Sequence, residues 1–289
     1  MLTLTAGACN RSSAQNEAPD DDARVCTVAM AMRPIATEVR ETSGLARGRL
    51  NPDIFWTHND SGNEPVLFAL GQDGKIRTRI PVRNVTVTDW EDLEAAACDG
   101  QNCLYLADIG DNPGIRKDIT IYEVLEPSLN DREARVKQSI RATYPDGAQD
   151  AEAFFRLPNG NMYIVTKGRH KSIKLYQLSL AGANGQTTLQ LIRELLPRPQ
   201  AESGRVTAAT ASPGGNWVAI RTYGSLYLYR TAELLGGGAP ALTQSLTDLR
   251  ERQGESIALD DDGTIWLTSE AERQEDEPTM ISLRCVLPR

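Results

Sequence analysis

A single pattern recurs five times along the 289 residues. A repeat constrains the fold more than an isolated motif does, because every copy must become the same structural unit. Each copy opens on a polar or acidic residue, a small or acidic one and an apolar stretch: Ser43-Gly44-Leu45-Ala46, Glu91-Asp92-Leu93-Glu94, Glu152-Ala153-Phe154-Phe155, Thr207-Ala208-Ala209-Thr210 and Glu255-Ser256-Ile257-Ala258. A turn follows at a nearly constant distance. Counting from the first residue of each copy, eight steps reach Asn51, nine reach Gly100, and eight reach Gly160, Gly215 and Gly263. Asp99-Gly100, Asn159-Gly160, Gly214-Gly215 and Asp262-Gly263 supply the positive φ angles that tight hairpins require.

A second strand rich in β-branched and aromatic residues follows each turn: Ile54-Phe55-Trp56-Thr57, Leu104-Tyr105-Leu106-Ala107, Met162-Tyr163-Ile164-Val165, Trp217-Val218-Ala219-Ile220 and Ile265-Trp266-Leu267-Thr268. Third strands such as Val66 to Leu70, Ile119 to Val124 and Leu226 to Tyr229 come next, some of them alternating apolar and polar residues as a half-buried strand does. The copies begin at 43, 91, 152, 207 and 255, so they are spaced by 48, 61, 55 and 48 residues. Such periods match one blade of a β-propeller. The expected fold is therefore all-β, a propeller of five four-stranded blades. The alternative is six blades, with irregular strands hidden in the 61-residue interval. A two-sheet sandwich would not require one period throughout. The last copy has room for three strands, so its fourth is expected to be Val25 to Met32, closing the ring from the N-terminus.

The five cysteines fit this closure. Cys26 lies in the first strand-like stretch and Cys285 in the last, which a ring brings side by side. Cys98 and Cys103 flank the turn-rich Asp99-Gly100-Gln101-Asn102 and are placed to bridge a hairpin. Two bridges leave Cys9 over. Cys9 ends Leu2-Thr3-Leu4-Thr5-Ala6-Gly7-Ala8-Cys9 and precedes the polar run Asn10 to Arg24, an arrangement that resembles the tail of a bacterial lipoprotein signal with a lipidated cysteine. No basic stretch precedes it and Ala6 stands where such signals usually carry Leu, which points to a truncated or misassigned start. Residues 1–24 are thus read as a signal remnant with its lipobox and a disordered acidic linker, and 25–289 as one propeller domain. Disulfides and export agree with each other, so the expected location is the cell envelope. The membrane would be reached only through a lipid at Cys9, because no apolar run is long enough to cross a bilayer. A net charge of −8 argues against nucleic acid, which needs a basic face. A monomer is expected.

In an antiparallel blade the first strand starts on the face where the second ends. Residues at those two points in all blades converge on one channel mouth. The strand starts bring Glu41, Asp89, Glu91, Asp92, Asp150, Glu152 and Glu255. The strand ends bring His58, Asn59, Asp60, Asp108, Asp111, Asn112, Lys167, Arg169, Arg221 and Glu270. So many carboxylates need counter-charge. Ca²⁺, which takes carboxylate, amide and carbonyl oxygens, is the expected cofactor, with Glu91, Asp108, Asp111, Glu152 and Glu255 as its candidate ligands. Internal pairing with Arg116, Lys167, Arg169 and Arg221 is the other remedy. Asp60, Asp89, Asp108, Arg116, Asp150, Lys167, Arg221 and Glu255 are the candidate ligand-binding residues. The loop from Asp108 to Asp118 has oxygen ligands and glycines at calcium-loop density but lacks EF-hand spacing.

Catalysis has less behind it. His58 and His170 are the two histidines and neither is matched to a nucleophile, which argues against a triad and against zinc. Glu91 and Glu152 are the candidate acid and base, although any acidic ring offers such pairs.

Asp89-Trp90-Glu91-Asp92-Leu93, and Ala107-Asp108-Ile109-Gly110-Asp111-Asn112 followed by Arg116, Asp118 and Ile121-Tyr122, resemble a family of exported bacterial propellers of uncharacterised function. The resemblance covers most of residues 40 to 289. More distantly, the strand starts are similar to those of phytase-like and esterase-like propellers, with blade repeats of the WD40-like kind. Phytase-like propellers are calcium-dependent phosphohydrolases, which would place Glu91, Glu152 and Glu255 near metal. Ser43 and Thr207 replace the acid in two copies. The expected function is a binding or scaffold module for a small-molecule or protein ligand. The alternative is a calcium-dependent hydrolase of phosphate esters or glycans.

Overall fold

Each sequence repeat becomes one four-stranded antiparallel sheet with its first strand innermost. The computed structural model describes residues 26–179, 186–271 and 273–288, so the lipobox cysteine Cys9 and the linker lie outside the described residues. After β1 (Thr27–Pro34), blade 1 is formed by β2 (Thr42–Arg47), β3 (Ile54–Asn59), β4 (Val66–Gly71) and β5 (Ile76–Arg83). Blade 2 is β6 (Trp90–Cys98), β7 (Gln101–Asp108), β8 (Ile119–Leu125) and β9 (Ala134–Thr143). Blade 3 is β10 (Ala151–Arg156), β11 (Met162–Thr166), β12 (Ile173–Leu178) and β14 (Gln190–Leu196), while the short β13 (Gln186–Thr188) pairs in parallel with β9 of blade 2. Blade 4 is β15 (Val206–Ala211), β16 (Trp217–Thr222), β17 (Ser225–Arg230) and β18 (Leu242–Ser245), with α1 (Thr231–Gly236) before its last strand. Blade 5 is β19 (Gln253–Leu259), β20 (Thr264–Glu270) and β21 (Thr279–Arg284), and its outer strand is β1.

Five apolar clusters lie between neighbouring blades and fix the count at five. Alternate residues of one strand serve opposite faces, as the two-residue strand period demands. Phe154 packs with Tyr105 and Ile121 of blade 2, whereas Phe155 packs with Val218 and Ile220 of blade 4. The ring closes where Phe55 and Phe68 of blade 1 meet Trp266 and Met280 of blade 5. The 61-residue interval holds no sixth blade. It is filled by a long β6–β7 hairpin, the loop after Asp108 and the ten-residue β9. A short parallel pairing of β5 with β9, Val82 to Ala134 and Arg83 to Arg135, joins the outer edges of blades 1 and 2.

Closure takes the expected form. β1 pairs antiparallel with β21, from Thr27 opposite Arg284 to Pro34 opposite Thr279, and Cys26 is bonded to Cys285 beside this pairing. The second disulfide, Cys98 to Cys103, bridges the β6–β7 hairpin. No helix of the described residues is long and apolar enough to cross a membrane.

At the axis, Asp92 is fully buried. Its carboxylate accepts the N–H of Leu93 at 2.8 Å and, across the ring, those of Phe154 at 2.8 Å and Ala209 at 3.2 Å. Blades 2, 3 and 4 are therefore tied at one point, midway between the two channel mouths.

The two disulfides differ in the chain they close, 259 residues apart against 5. Chain entropy makes the longer closure worth about 5 kcal/mol and the shorter about 2 kcal/mol. Urea unfolding of a Cys26→Ser/Cys285→Ser variant is expected to lose clearly more stability than a Cys98→Ser/Cys103→Ser variant; equal losses would contradict closure by the first pair.

Candidate functional site

The same irregularity occurs in all five innermost strands, one residue with no partner across the ladder. The pairing skips Gly44 in β2, Glu91 in β6, Glu152 in β10, Thr207 in β15 and Glu255 in β19. A bulge re-aims the side chain it carries, and here three bulges carry a glutamate. In the two copies without an acid, a hydroxyl bonds the neighbouring blade instead: Ser43 Oγ donates to the Glu91 carbonyl at 2.6 Å, and Thr207 Oγ1 to the Gly254 carbonyl at 2.9 Å. Gly44 has a φ of +68°, and a Cβ there would come within 2.8 Å of His58 Nε2, so no side chain fits at the blade 1 bulge.

A cavity of about 500 Å³ opens at this mouth, lined by Asp60, Glu91, Glu152, Lys167, Glu255 and Glu270 among others. Its acids fall into two groups. On one side all but Glu270, which has only burial and other acids around it, have a partner. Glu152 pairs with Lys167, Asp150 with Arg169 at 3.1 Å, and Glu251 with Arg221 at 2.8 Å. Glu255 accepts from Tyr223 Oη and Gln253 Nε2, each at 2.8 Å. On the other side, Asp60, Asp89 and Glu91 form no ion pair among the described residues, although one oxygen from each lies within 4.8 Å of the others. Asp89 Oδ1 is buried without a hydrogen-bond partner. Gly110 borders this trio so closely that a Cβ on it would overlap Glu91 Oε1 and Asp89 Oδ2.

Burial raises acids of both groups. Burial, then the charges of Glu152, Asp60 and Asp89, pushes Glu91 well above the ordinary glutamate range. Burial and the neighbouring Asp60 raise Asp89 to about 6. Asp60 and Glu255 are raised by burial as well. Burial lifts Glu152 to about 8 even against the pull of Lys167, and burial together with Glu255 and Asp60 lifts Glu270 to about 10. Burial alone would lower Lys167, but Glu152, Glu255 and Glu91 outweigh it and hold the ammonium above its usual range.

Of the residues singled out in the sequence, Glu91, Glu152, Glu255, Asp60 and Lys167 meet in this cavity, with Asp89 behind Glu91. Others are held elsewhere. Asp108 accepts from Thr88 N and Asp89 N at 3.0 Å each and pairs with Arg116 at 2.8 Å. Asp111 accepts from Ile115 N at 3.0 Å and Arg116 N at 2.8 Å. The loop after β7 is thus closed on its own oxygens. Arg221 is fully buried, its NH1 directed to the Ser256 and Thr268 carbonyls. His58 is fully buried against Trp90, and burial lowers its pKa to about 4. Sequence reasoning missed Tyr223, Gln253 and Glu251. Tyr223 directly follows the end of β16, the position that drew attention to Arg221, so the same rule extended by two residues reaches it.

No family model matches the sequence, and no curated protein matches it either. Solved structures do. The PQQ-bound aldose sugar dehydrogenase of Streptomyces coelicolor superposes with a TM-score of 0.51 at 10% identity, covering 91% of this chain and 98% of that one. A catalytically inactive virginiamycin B lyase of Staphylococcus aureus with quinupristin gives 0.43 at 13% identity, covering 86% and 67%. Sqt1 of Chaetomium thermophilum bound to the N-terminus of ribosomal protein L10 gives 0.39 at 14% identity, covering 88% and 67%. The fold is a β-propeller. At these identities the likeness extends to the fold alone.

The raised carboxyl groups predict a pH dependence of stability. Their folded pKa values exceed the unfolded values near about 4, so the native state keeps protons that the unfolded state releases. That contribution is complete below about pH 4 and is lost as pH rises through about 6 at Asp89 and about 8 at Glu152. In a chelator, the urea midpoint is expected to fall between about pH 5 and about pH 9; a midpoint that rises over this range would refute the assignment.

Proposed function

We propose that the protein is an exported binding propeller that holds Ca²⁺ between Asp60, Asp89 and Glu91 and presents it to a small ligand entering the mouth. The observation that carries this reading is the uncompensated trio. Three carboxylates lie within 4.8 Å of one another without an ion pair, beside Glu152, Asp150 and Glu251, each paired with a base. A hard divalent cation takes the place of the protons that burial otherwise forces onto these groups. Calcium accepts six to eight oxygens in flexible geometry, so three carboxylates leave coordination positions for a ligand on the cavity side. Lys167, across the cavity, gives an anionic group of that ligand a second contact. Binding is favoured over turnover by what the candidate acid and base are doing: Glu152 is paired with Lys167, and Glu91 belongs to the carboxylate trio. The two disulfides support export, and lipidation of Cys9 completes the reading.

Titration calorimetry with Ca²⁺ near neutral pH is expected to give one saturable site that Glu91→Gln and Asp60→Asn each abolish. At a hundredfold excess over Kd the melting temperature rises by about 5 °C. No heat of binding and no thermal shift would end the calcium reading. Cell fractionation checks the anchor separately: the protein should move from the membrane to the soluble fraction on Cys9→Ser, and a membrane location unchanged by that substitution rules the lipid out.

A further inference from the structure

The channel has a second mouth, where the innermost strands end. It leads into a separate cavity of about 370 Å³. On β6 the order Glu91, Asp92, Glu94 runs from one mouth to the other, and Asp92, bonded across the axis to Phe154 and Ala209, lies between them. Ala46, Ala95, Ala97, Ala211 and Ala258 give this second cavity small apolar walls.

Its polar groups are unequally engaged. Arg47 is spent on Asp260, through Nε at 2.8 Å and NH2 at 2.7 Å, and on the Pro52 carbonyl. Arg49 is exposed at the rim and donates to Asn102 at 3.1 Å. Arg156 differs from both. Its guanidinium lies over the Tyr105 ring, 4.8 Å from the centroid, its Nε is buried without a partner, and it forms no ion pair among the described residues. On the next blade, Ser212 is 1% exposed and its Oγ also lacks a partner. Glu94 accepts from Thr210 Oγ1 at 3.2 Å and Ala211 N at 3.4 Å. Burial raises it to about 8, which reduces its negative charge opposite Arg156 near neutral pH.

We propose that this mouth is a second ligand site that takes the carboxylate of a small organic acid on Arg156 and Ser212, with a short apolar tail against the alanine walls. A planar guanidinium held flat on an aromatic ring presents the fork that a carboxylate matches with two parallel hydrogen bonds. One unpaired arginine balances one negative charge, which suits a monocarboxylate better than a phosphate dianion. An unpaired donor on a buried hydroxyl is costly to leave, and the acid's oxygen satisfies it. The site is separate from the calcium mouth: the two cavities share no lining residue, and Asp92 is bonded to three blades between them.

The test uses the whole protein with propionate and benzoate as probes, their amides as uncharged controls and inorganic phosphate as a competing anion, followed by calorimetry or ligand-observed NMR. Saturable 1:1 binding of the acids is expected, with the amides weaker by about tenfold or more. Affinity should be the same in EDTA and in Ca²⁺, which separates this site from the other mouth. Arg156→Gln should lose about tenfold or more in affinity and Ser212→Ala a smaller factor, while Arg156→Lys keeps part of the binding by retaining the charge without the fork. The discrimination between acid and amide is read on the unaltered protein, so it decides the matter even where a variant folds poorly. Absence of saturable carboxylate binding, amides that bind as well as acids, or phosphate that binds more tightly than both would overturn the proposal.

Discussion

The apolar contact between the last blade and the first, Phe55 and Phe68 against Trp266 and Met280, is the one on which the rest of the ring depends. Every blade carries apolar side chains on both faces, so each face needs a neighbour. A row of such sheets left open would expose one face at either end. Closing the row removes both exposed faces at once, and the chain does so by laying β1 beside β21 and bonding Cys26 to Cys285. Five blades rather than six follow from the five interface clusters. The extra residues of blade 2 lengthen its strands and the loop after Asp108 without adding a sheet.

Closure also creates the electrostatic problem at the channel mouth. Five innermost strands converge there, each with a bulge at its start. In blades 1 and 4, Ser43 beside the Gly44 bulge and Thr207 at its own bulge tie the next blade through a hydroxyl. In the other three the bulged residue is glutamate, and three carboxylates share one low-dielectric opening. Lys167, Arg169 and the buried Arg221 pair with Glu152, Asp150 and Glu251, and Glu255 is bonded to Tyr223 and Gln253. Asp60, Asp89 and Glu91, from blades 1 and 2, form no ion pair among the described residues. The asymmetry of a nearly five-fold ring is thus an asymmetry of charge, and it singles out one arc of the mouth for a cation.

Asp92 separates this mouth from the opposite one by bonding to three blades at the axis. Three N–H groups on the inner edges of the strands offset part of the cost of burying its carboxyl, which burial still pushes well above the ordinary aspartate range. The two ends of the channel therefore differ in chemistry. One concentrates carboxylates, and the other holds the unpaired Arg156 among alanines.

Much of this was legible in the residues. The turns at Gly100, Gly160, Gly215 and Gly263, the strands that follow them and the convergence of Glu91, Glu152 and Glu255 all come from a repeat, and repetition carries local structure into global placement. Cys26 and Cys285 could be paired because a ring has only one seam. Asp108 and Asp111 looked like cation ligands because a loop of acids and glycines reads the same whether its oxygens face a metal or its own N–H groups. Asp92 looked like one more acid at the mouth, since nothing local separates it from Glu91. By itself the sequence determined the propeller, its seam and the face where the acids gather, because hydrogen-bonded hairpins and strand periodicity depend on neighbours in the chain. Only the tertiary structure decided which acids are compensated and which residue ties three blades together at the axis. Arg221 meets Glu251 and Asp92 meets Ala209 across 30 and 117 residues of chain, and Coulomb energy depends on distance in space alone.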